Sequence, residues 1–239
     1  MRESNVRIRS TRLAVASGLT ATLLAASPAH AQREDEQLWL QVNTNVPVND
    51  DIRLTLEQIA RFSDRQDGLY QTEFGGLLSF RLVKGVELGV GYRKVGAHNG
   101  NTGEDEDRLR QQVVASFGRV TTRFRVDERF YPTGSGVGVR IRPLIRYNYP
   151  LGRKRLALFV SHESFYLPNS TNWGQRRGYE RMRNMVGLVI PIAQQVSADV
   201  GYLNQYRPGR VGAPAQMDHA LSLQLTISLH SAPAPLTHD

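Results

Sequence analysis

Between Leu38 and His230 the chain alternates apolar and polar residues with a period of two, in one short segment after another. A strand turns successive side chains to opposite faces, so this pattern predicts strands with one apolar and one polar face. In the stretch RFRVDERF, Arg123, Arg125, Asp127 and Arg129 share one face, and Phe124, Val126 and Phe130 the other. Segment 218–230 sets Leu221, Leu223, Leu225, Ile227 and Leu229 against Ser222, Gln224, Thr226 and Ser228. Segment 52–63 sets Ile52, Leu54, Leu56 and Phe62 against Arg53, Thr55, Glu57 and Arg61. Segment 107–118 opposes Leu109, Val113 and Phe117 to Arg108, Arg110, Gln112 and Ser116, and segment 137–150 opposes Val139, Ile141, Ile145, Tyr147 and Tyr149 to Arg140, Arg142, Arg146 and Asn148.

Eleven such segments are legible, near 38–48, 52–63, 69–82, 86–97, 107–118, 120–131, 137–150, 155–167, 179–191, 195–207 and 218–230, and no helix of ordinary length interrupts them. A soluble sandwich would have to bring every apolar face into one dry core. A closed antiparallel transmembrane β-barrel of about 10–12 strands, lipid outside and a polar, arginine-rich lumen inside, fits the pattern better. Closure also pairs every backbone donor and acceptor, as hydrocarbon requires. Short links near Asn49-Asp50, Lys84-Gly85, Gly118-Arg119, Gly152-Lys154 and Ala193-Gln194 alternate with longer ones at 64–68, 98–106, 132–136, 168–178 and 208–217. Outer-membrane barrels have short periplasmic turns and long outer loops. An even strand number would return both chain ends to the periplasm; segments 52–230 supply ten strands, leaving 38–48 as an extra strand or a segment packed elsewhere, unless a further strand is uncounted.

The N-terminus reads as an export signal: a basic MRESNVRIRSTR, an apolar LAVASGLTATLLAA, and Ala29-His30-Ala31 as the cleavage site, with Gln32 the first mature residue. The apolar run is shorter than the roughly 18 residues a membrane anchor needs. Residues 1–31 carry four arginines and one glutamate, so their removal lowers the formal net charge from +8 to +5 and leaves one barrel domain over 32–239. An exported chain with 0 cysteines has no disulfide framework and no thiolate metal site. Its basic residues alternate into a lumen instead of forming an exposed patch, which argues against nucleic-acid binding. No phosphate loop, dinucleotide fingerprint or metal-spaced cluster is present, so no cofactor is expected.

The expected lumen network comprises Arg53, Glu57, Arg61, Arg108, Arg110, Arg123, Arg125, Asp127, Arg129, Arg140, Arg142, Arg146, Glu163, Arg183 and Asp199. In so narrow a barrel these groups serve as a buried ion-pair network. Arginine outnumbers carboxylate, and its fork suits carboxylate or phosphate, so a narrow anion path or acidic-ligand pocket is the functional counterpart. On segment 155–167, His162 and Ser164 share the apolar-facing side with Leu158, Val160 and Tyr166, while Glu163 faces the lumen with Ser161 and Phe165. A lipid-facing His-x-Ser pair resembles the arrangement in outer-membrane phospholipase A and lipid A deacylase, where histidine activates serine for acyl transfer. A third partner would have to come from Asn169, Asn172 or Glu180. Tyr147, Tyr149, Tyr166, Tyr179, Tyr202 and Tyr206 read as interfacial girdles.

Trp39, RLTLEQIARF at 53–62, ELGVGYR at 87–93, DEDRLRQQ at 105–112, RFRVDERF at 123–130, RIRPLIRY at 140–147, ESF at 163–165 and ADVGYLNQY at 198–206 together resemble the domain of unknown function 2490 family across nearly the whole mature chain. The resemblance implies a predicted outer-membrane β-barrel with no established activity. It carries over the Arg-x-Arg-x-acid-x-Arg strand at 123–129 and the Glu-x-Phe at 163–165, while His162 and Ser164 stand outside the family pattern. The chain also ends in HSAPAPLTHD without the terminal aromatic usual for barrel assembly. The resulting expectation is an outer-membrane protein, structural or a narrow pore with a charged lumen, whose partners are outer-membrane lipid and a small anionic solute. The balance of features is against an enzyme. The alternatives are a lipid acyl hydrolase using the Ser/His pair and a soluble periplasmic β-protein that binds an acidic ligand.

Overall fold

The computed structural model describes residues 32–99, 105–152, 156–210 and 212–229. They form eleven strands: β1 (Arg33–Pro47), β2 (Ile52–Ser63), β3 (Gly68–Val83), β4 (Val86–Ala97), β5 (Glu106–Phe117), β6 (Val120–Phe130), β7 (Gly138–Pro150), β8 (Ala157–Leu167), β9 (Gly178–Ala193), β10 (Val196–Arg207) and β11 (Gln216–Ser228). Consecutive strands pair antiparallel, and β1 closes the barrel by lying parallel to β11, with Leu40 beside Leu223. Segment 38–48 is therefore a full strand. An odd number of strands closes because the seam is parallel, which puts the start of β1 at the long-loop end and the end of β11 at the short-turn end. The expected export signal lies outside the described residues.

Which face turns inward follows from contacts between strands that are not neighbours. Glu57 on β2 meets Arg110 on β5, with β3 and β4 between them, and such a pair can form only through the barrel. The rest of the polar set follows by alternation. Arg110, Arg125 and Arg146 are each 1% exposed, whereas Phe74, Phe124 and Leu221 are 59%, 51% and 51% exposed on the outer wall. A soluble domain shows the reverse distribution.

Eleven strands at ~4.8 Å spacing and a tilt of ~40° make a wall of radius about 11 Å, so long side chains from opposite walls nearly meet. Interior glycines decide where they cross. Gly75 lies between Glu57 and Arg93 in the pairing row, and Gly91 lies between Leu77 and Arg110. With no side chain at Gly75, Glu57 reaches Arg93 over the intervening strand at 2.8 Å. On the opposite wall Trp39, Phe159, Met185, Val189, Leu203 and Ala220 form an apolar cluster inside the barrel. Phe159 sits opposite Gly187, which gives its ring room. Arg146 caps that ring at 3.8 Å, and Arg61 and Arg183 lie over Trp39 at 4.2 and 4.6 Å, so apolar and charged layers join through cation–π contacts.

Candidate functional site

All fifteen residues of the expected network lie on the inner face, and most of the carboxylates gather two or more arginines. Glu57 takes Arg93 and Arg110; Glu73 takes Arg93 at 2.7 Å, Arg61 at 3.0 Å and Arg108 at 3.7 Å. Glu106 takes Arg108 at 2.5 Å and Arg129 at 2.7 Å. Glu163 takes Arg123 at 2.6 Å, Arg142 at 3.0 Å and Arg183 at 3.9 Å, and Asp199 holds Arg146 at 2.9 Å. Asp127 sits beside Arg125 and Arg129 in the sequence but binds Arg140 at 2.7 Å and Arg142 at 3.4 Å, both on β7. Its strand neighbours go elsewhere: Arg125 donates to Gln112 and Arg129 to Glu106. For Asp127 the cross-strand neighbour Arg140 stands closer than the residues two along its own strand, whereas Glu106 also reaches Arg108 two positions along β5.

Among the described residues, cavities enter this interior from both ends. One at the long-loop end has a volume of about 320 Å³ and is lined by Arg61, Arg65, Arg129, Arg181, Arg183 and Arg207 together with Asp35, Glu73 and Glu106. Another, about 540 Å³, is lined by Asn45, Asp51, Arg53, Ser79 and Glu87 near the short turns. Between them lies a layer containing Glu57, Leu77, Arg110, Val114, Arg123, Leu144, Arg146 and Asp199, all buried. At the first cavity the Nε atoms of Arg181 and Arg207 are buried and donate to no acceptor among the described residues.

The outer wall carries a second arrangement. His162 and Ser164 point outward from β8, and His162 Nε2 lies 3.0 Å from Ser164 Oγ. The third partner is Asn184 on β9, directly opposite His162 in the register, with its Oδ1 2.8 Å from His162 Nδ1. None of the three expected partners serves. Asn169 accepts from Val139 N–H, Asn172 donates to Ser135, and Glu180 turns inward to Arg181. Those positions lie in the β8–β9 loop or at the start of β9, whereas a strand neighbour in register lies closest to a mid-strand histidine. Tyr179 OH lies 3.3 Å from Ser164 Oγ.

The family model described as protein of unknown function (DUF2490) matches residues 36–215. This chain belongs to the DUF2490 family. An uncharacterized protein of Methylorubrum extorquens is 31% identical over 229 residues, covering 92% of this chain and 99% of that one. A solved structure described as "Unveiling the Mechanism Behind the in-meso Crystallization of Membrane Proteins" aligns over 77% of this chain and 79% of its own, at 12% identity and a TM-score of 0.41, a likeness too loose to carry an argument.

Several residues of the DUF2490 barrel's site escaped the sequence reading. Glu73, Glu87, Arg93, Glu106, Glu180, Arg181, Arg207 and Asp218 all bear on the inner network, with Arg207 and Asp218 paired at 3.3 Å. Glu73, Glu87 and Arg93 share the phase of the inward positions of their strands, a signal the alternation already contained. Glu180 sits beside a register shift between β8 and β9 at Phe165/Tyr166, which breaks the alternation that would have exposed it. Among the described residues, no group of three or more His, Cys, Asp or Glu side chains is placed to hold a metal ion.

Proposed function

We propose that this DUF2490 protein is an outer-membrane barrel whose outer wall faces lipid and whose interior is a closed, ion-paired plug. One observation carries the reading: the apolar and charged residues have exchanged the places they hold in a soluble protein, with phenylalanine, leucine and valine outside and arginine and carboxylate inside. Strand length agrees. A strand of twelve residues such as β5 runs ~40 Å, or about 30 Å along the barrel axis at a tilt of ~40°, enough to cross a hydrocarbon core. The tyrosines at 147, 149, 166, 179 and 202, all exposed on the outer wall, suit the two interfaces. An export signal over 1–31 and short turns on the periplasmic side complete the reading.

The buried layer between the two cavities supports a structural barrel over a conducting pore. The test is fractionation followed by comparison of unboiled and boiled samples on a gel, then insertion into a planar bilayer. A heat-modifiable band in the outer membrane without steady conductance is expected. Release of the protein by osmotic shock would sink the membrane reading, and a steady ohmic conductance would sink the plug.

The cavity at the long-loop end favours a second role, capture of a small anion. Its arginines exceed its carboxylates, and guanidinium forks suit carboxylate or phosphate oxygens. Titration calorimetry of the detergent-folded barrel with inorganic phosphate and with succinate tests it. Binding that weakens in Arg181→Gln is expected, and no heat with either anion would refute it.

A further inference from the structure

The outward-facing trio on β8 and β9 is bonded in the order that acyl transfer requires. Asn184 Oδ1 is an acceptor, so its bond to His162 Nδ1 puts the ring proton on that nitrogen and leaves Nε2 free to accept from the Ser164 hydroxyl. Other outward histidines lack this completeness. His219 Nδ1 bonds Tyr202 OH at 2.6 Å, with no serine or threonine among the described residues on the ring. His98 Nε2 lies 2.8 Å from Thr72 Oγ1, but its other nitrogen has no acceptor among the described residues to set the tautomer.

The surroundings suit a lipid ester. Two pairing rows toward the short turns, Val160 faces Val186, both exposed, so acyl chains have an apolar wall to lie against. Beyond Ser164, Tyr166 pairs with Tyr179, residues typical of the interfacial depth at which lipid esters sit. Just past Tyr179, the Arg210 guanidinium donates to the carbonyls of Arg176 at 2.9 Å and Tyr179 at 2.6 Å, which places positive charge where a phosphorylated headgroup would lie.

We infer that Ser164, His162 and Asn184 form an acyl-ester hydrolase site on the barrel's outer wall, acting on a phosphorylated membrane lipid; the inference rests on the outer-membrane reading above. Ser164 Oγ attacks the ester carbonyl carbon while His162 Nε2 takes the hydroxyl proton. The Tyr179 hydroxyl, 3.3 Å from Ser164 Oγ, donates to the oxyanion that forms. Collapse breaks the ester C–O bond, and the leaving alcohol carries away the proton held by His162. Water, deprotonated by His162, then attacks the acyl carbon; the bond to Ser164 Oγ breaks, His162 returns the proton to that oxygen, and the fatty acid leaves, so ester and water become acid and alcohol with no redox partner. Asn184 is a positioning residue that holds the imidazole in its tautomer.

The full chain, folded in detergent and verified by its gel shift, is exposed to a fluorophosphonate probe and to two lipid substrates in separate arms. One is a mixed micelle of phosphatidylethanolamine and phosphatidylglycerol, the other a lipid A dispersion, and fatty-acid release is measured in both. Wild type is expected to take up one probe and to release fatty acid in one arm or both, which identifies the lipid source. Ser164→Ala, on the lipid face, keeps the gel shift and loses the label and about 1,000-fold or more of the release. Asn184→Ala lowers kcat with KM unchanged, and Asn184→Asp restores it. A gel-shifted wild type with neither label nor release, or release that persists in Ser164→Ala, overturns the site while leaving the barrel standing. A wild type with no gel shift overturns both.

Discussion

Replacing Asp127 by alanine should destabilise the barrel far more than its small side chain suggests. The carboxylate is 0% exposed and accepts from Arg140 Nε at 3.0 Å, Arg140 Nη2 at 2.7 Å and Arg142 Nη1 at 3.4 Å. Without it Arg142 still holds both oxygens of Glu163, at 3.0 and 3.2 Å. Arg140 keeps only Glu180, at 3.9 Å, and becomes a nearly uncompensated buried cation. Removing one partner of a buried pair costs about 3–5 kcal/mol, which is roughly 10²- to 4 × 10³-fold in the folding equilibrium. Arg140→Met in the same chain removes the stranded charge, so the double variant should recover a coupling of about 0.5–3 kcal/mol relative to the sum of the singles. Urea titration of vesicle-embedded protein, read by tryptophan fluorescence and gel shift together, measures each corner of the cycle. If Asp127→Ala falls within ~0.5 kcal/mol of wild type, or if the two changes add, the inner ion pairs do not act as argued.

Three further outcomes are expected. At Gly75 a Cβ would lie 2.3 Å from the Tyr92 carbonyl oxygen, so Gly75→Ala should cost at least about 1–3 kcal/mol in the same titration, while Gly76→Ala, whose nearest contact would be 3.7 Å, should be near neutral. The parallel seam puts Arg33 and Asp51 at opposite ends of the barrel; in a chain with 0 cysteines, Arg33→Cys should react with an impermeant maleimide on intact cells, and Asp51→Cys only after permeabilisation. The reverse labelling would refute the orientation. In a Trp173→Phe variant the remaining Trp39, 4% exposed between two guanidinium groups, should resist acrylamide quenching until the barrel unfolds, and ready quenching of the folded form would contradict its burial.

The strands, their faces and most of the inner charge were legible in the residue order, because a strand's geometry ties side-chain direction to position parity. Arg123, Arg125, Asp127 and Arg129 are inward for no reason beyond that. Partnership was not legible, since it depends on register. Asp127 binds β7, Glu57 binds Arg93 and Arg110 over glycines of the intervening strands, and Asn184 meets His162 across 22 positions of sequence. The fate of the first strand was likewise a matter of closure. Counting suggests an even barrel, yet the register of β1 with both β2 and β11 satisfies the backbone of both strand edges at once. Alternation is local and survives in one dimension, whereas a barrel's seam, its crossing arginines and its triads exist only once eleven strands have fixed their stagger.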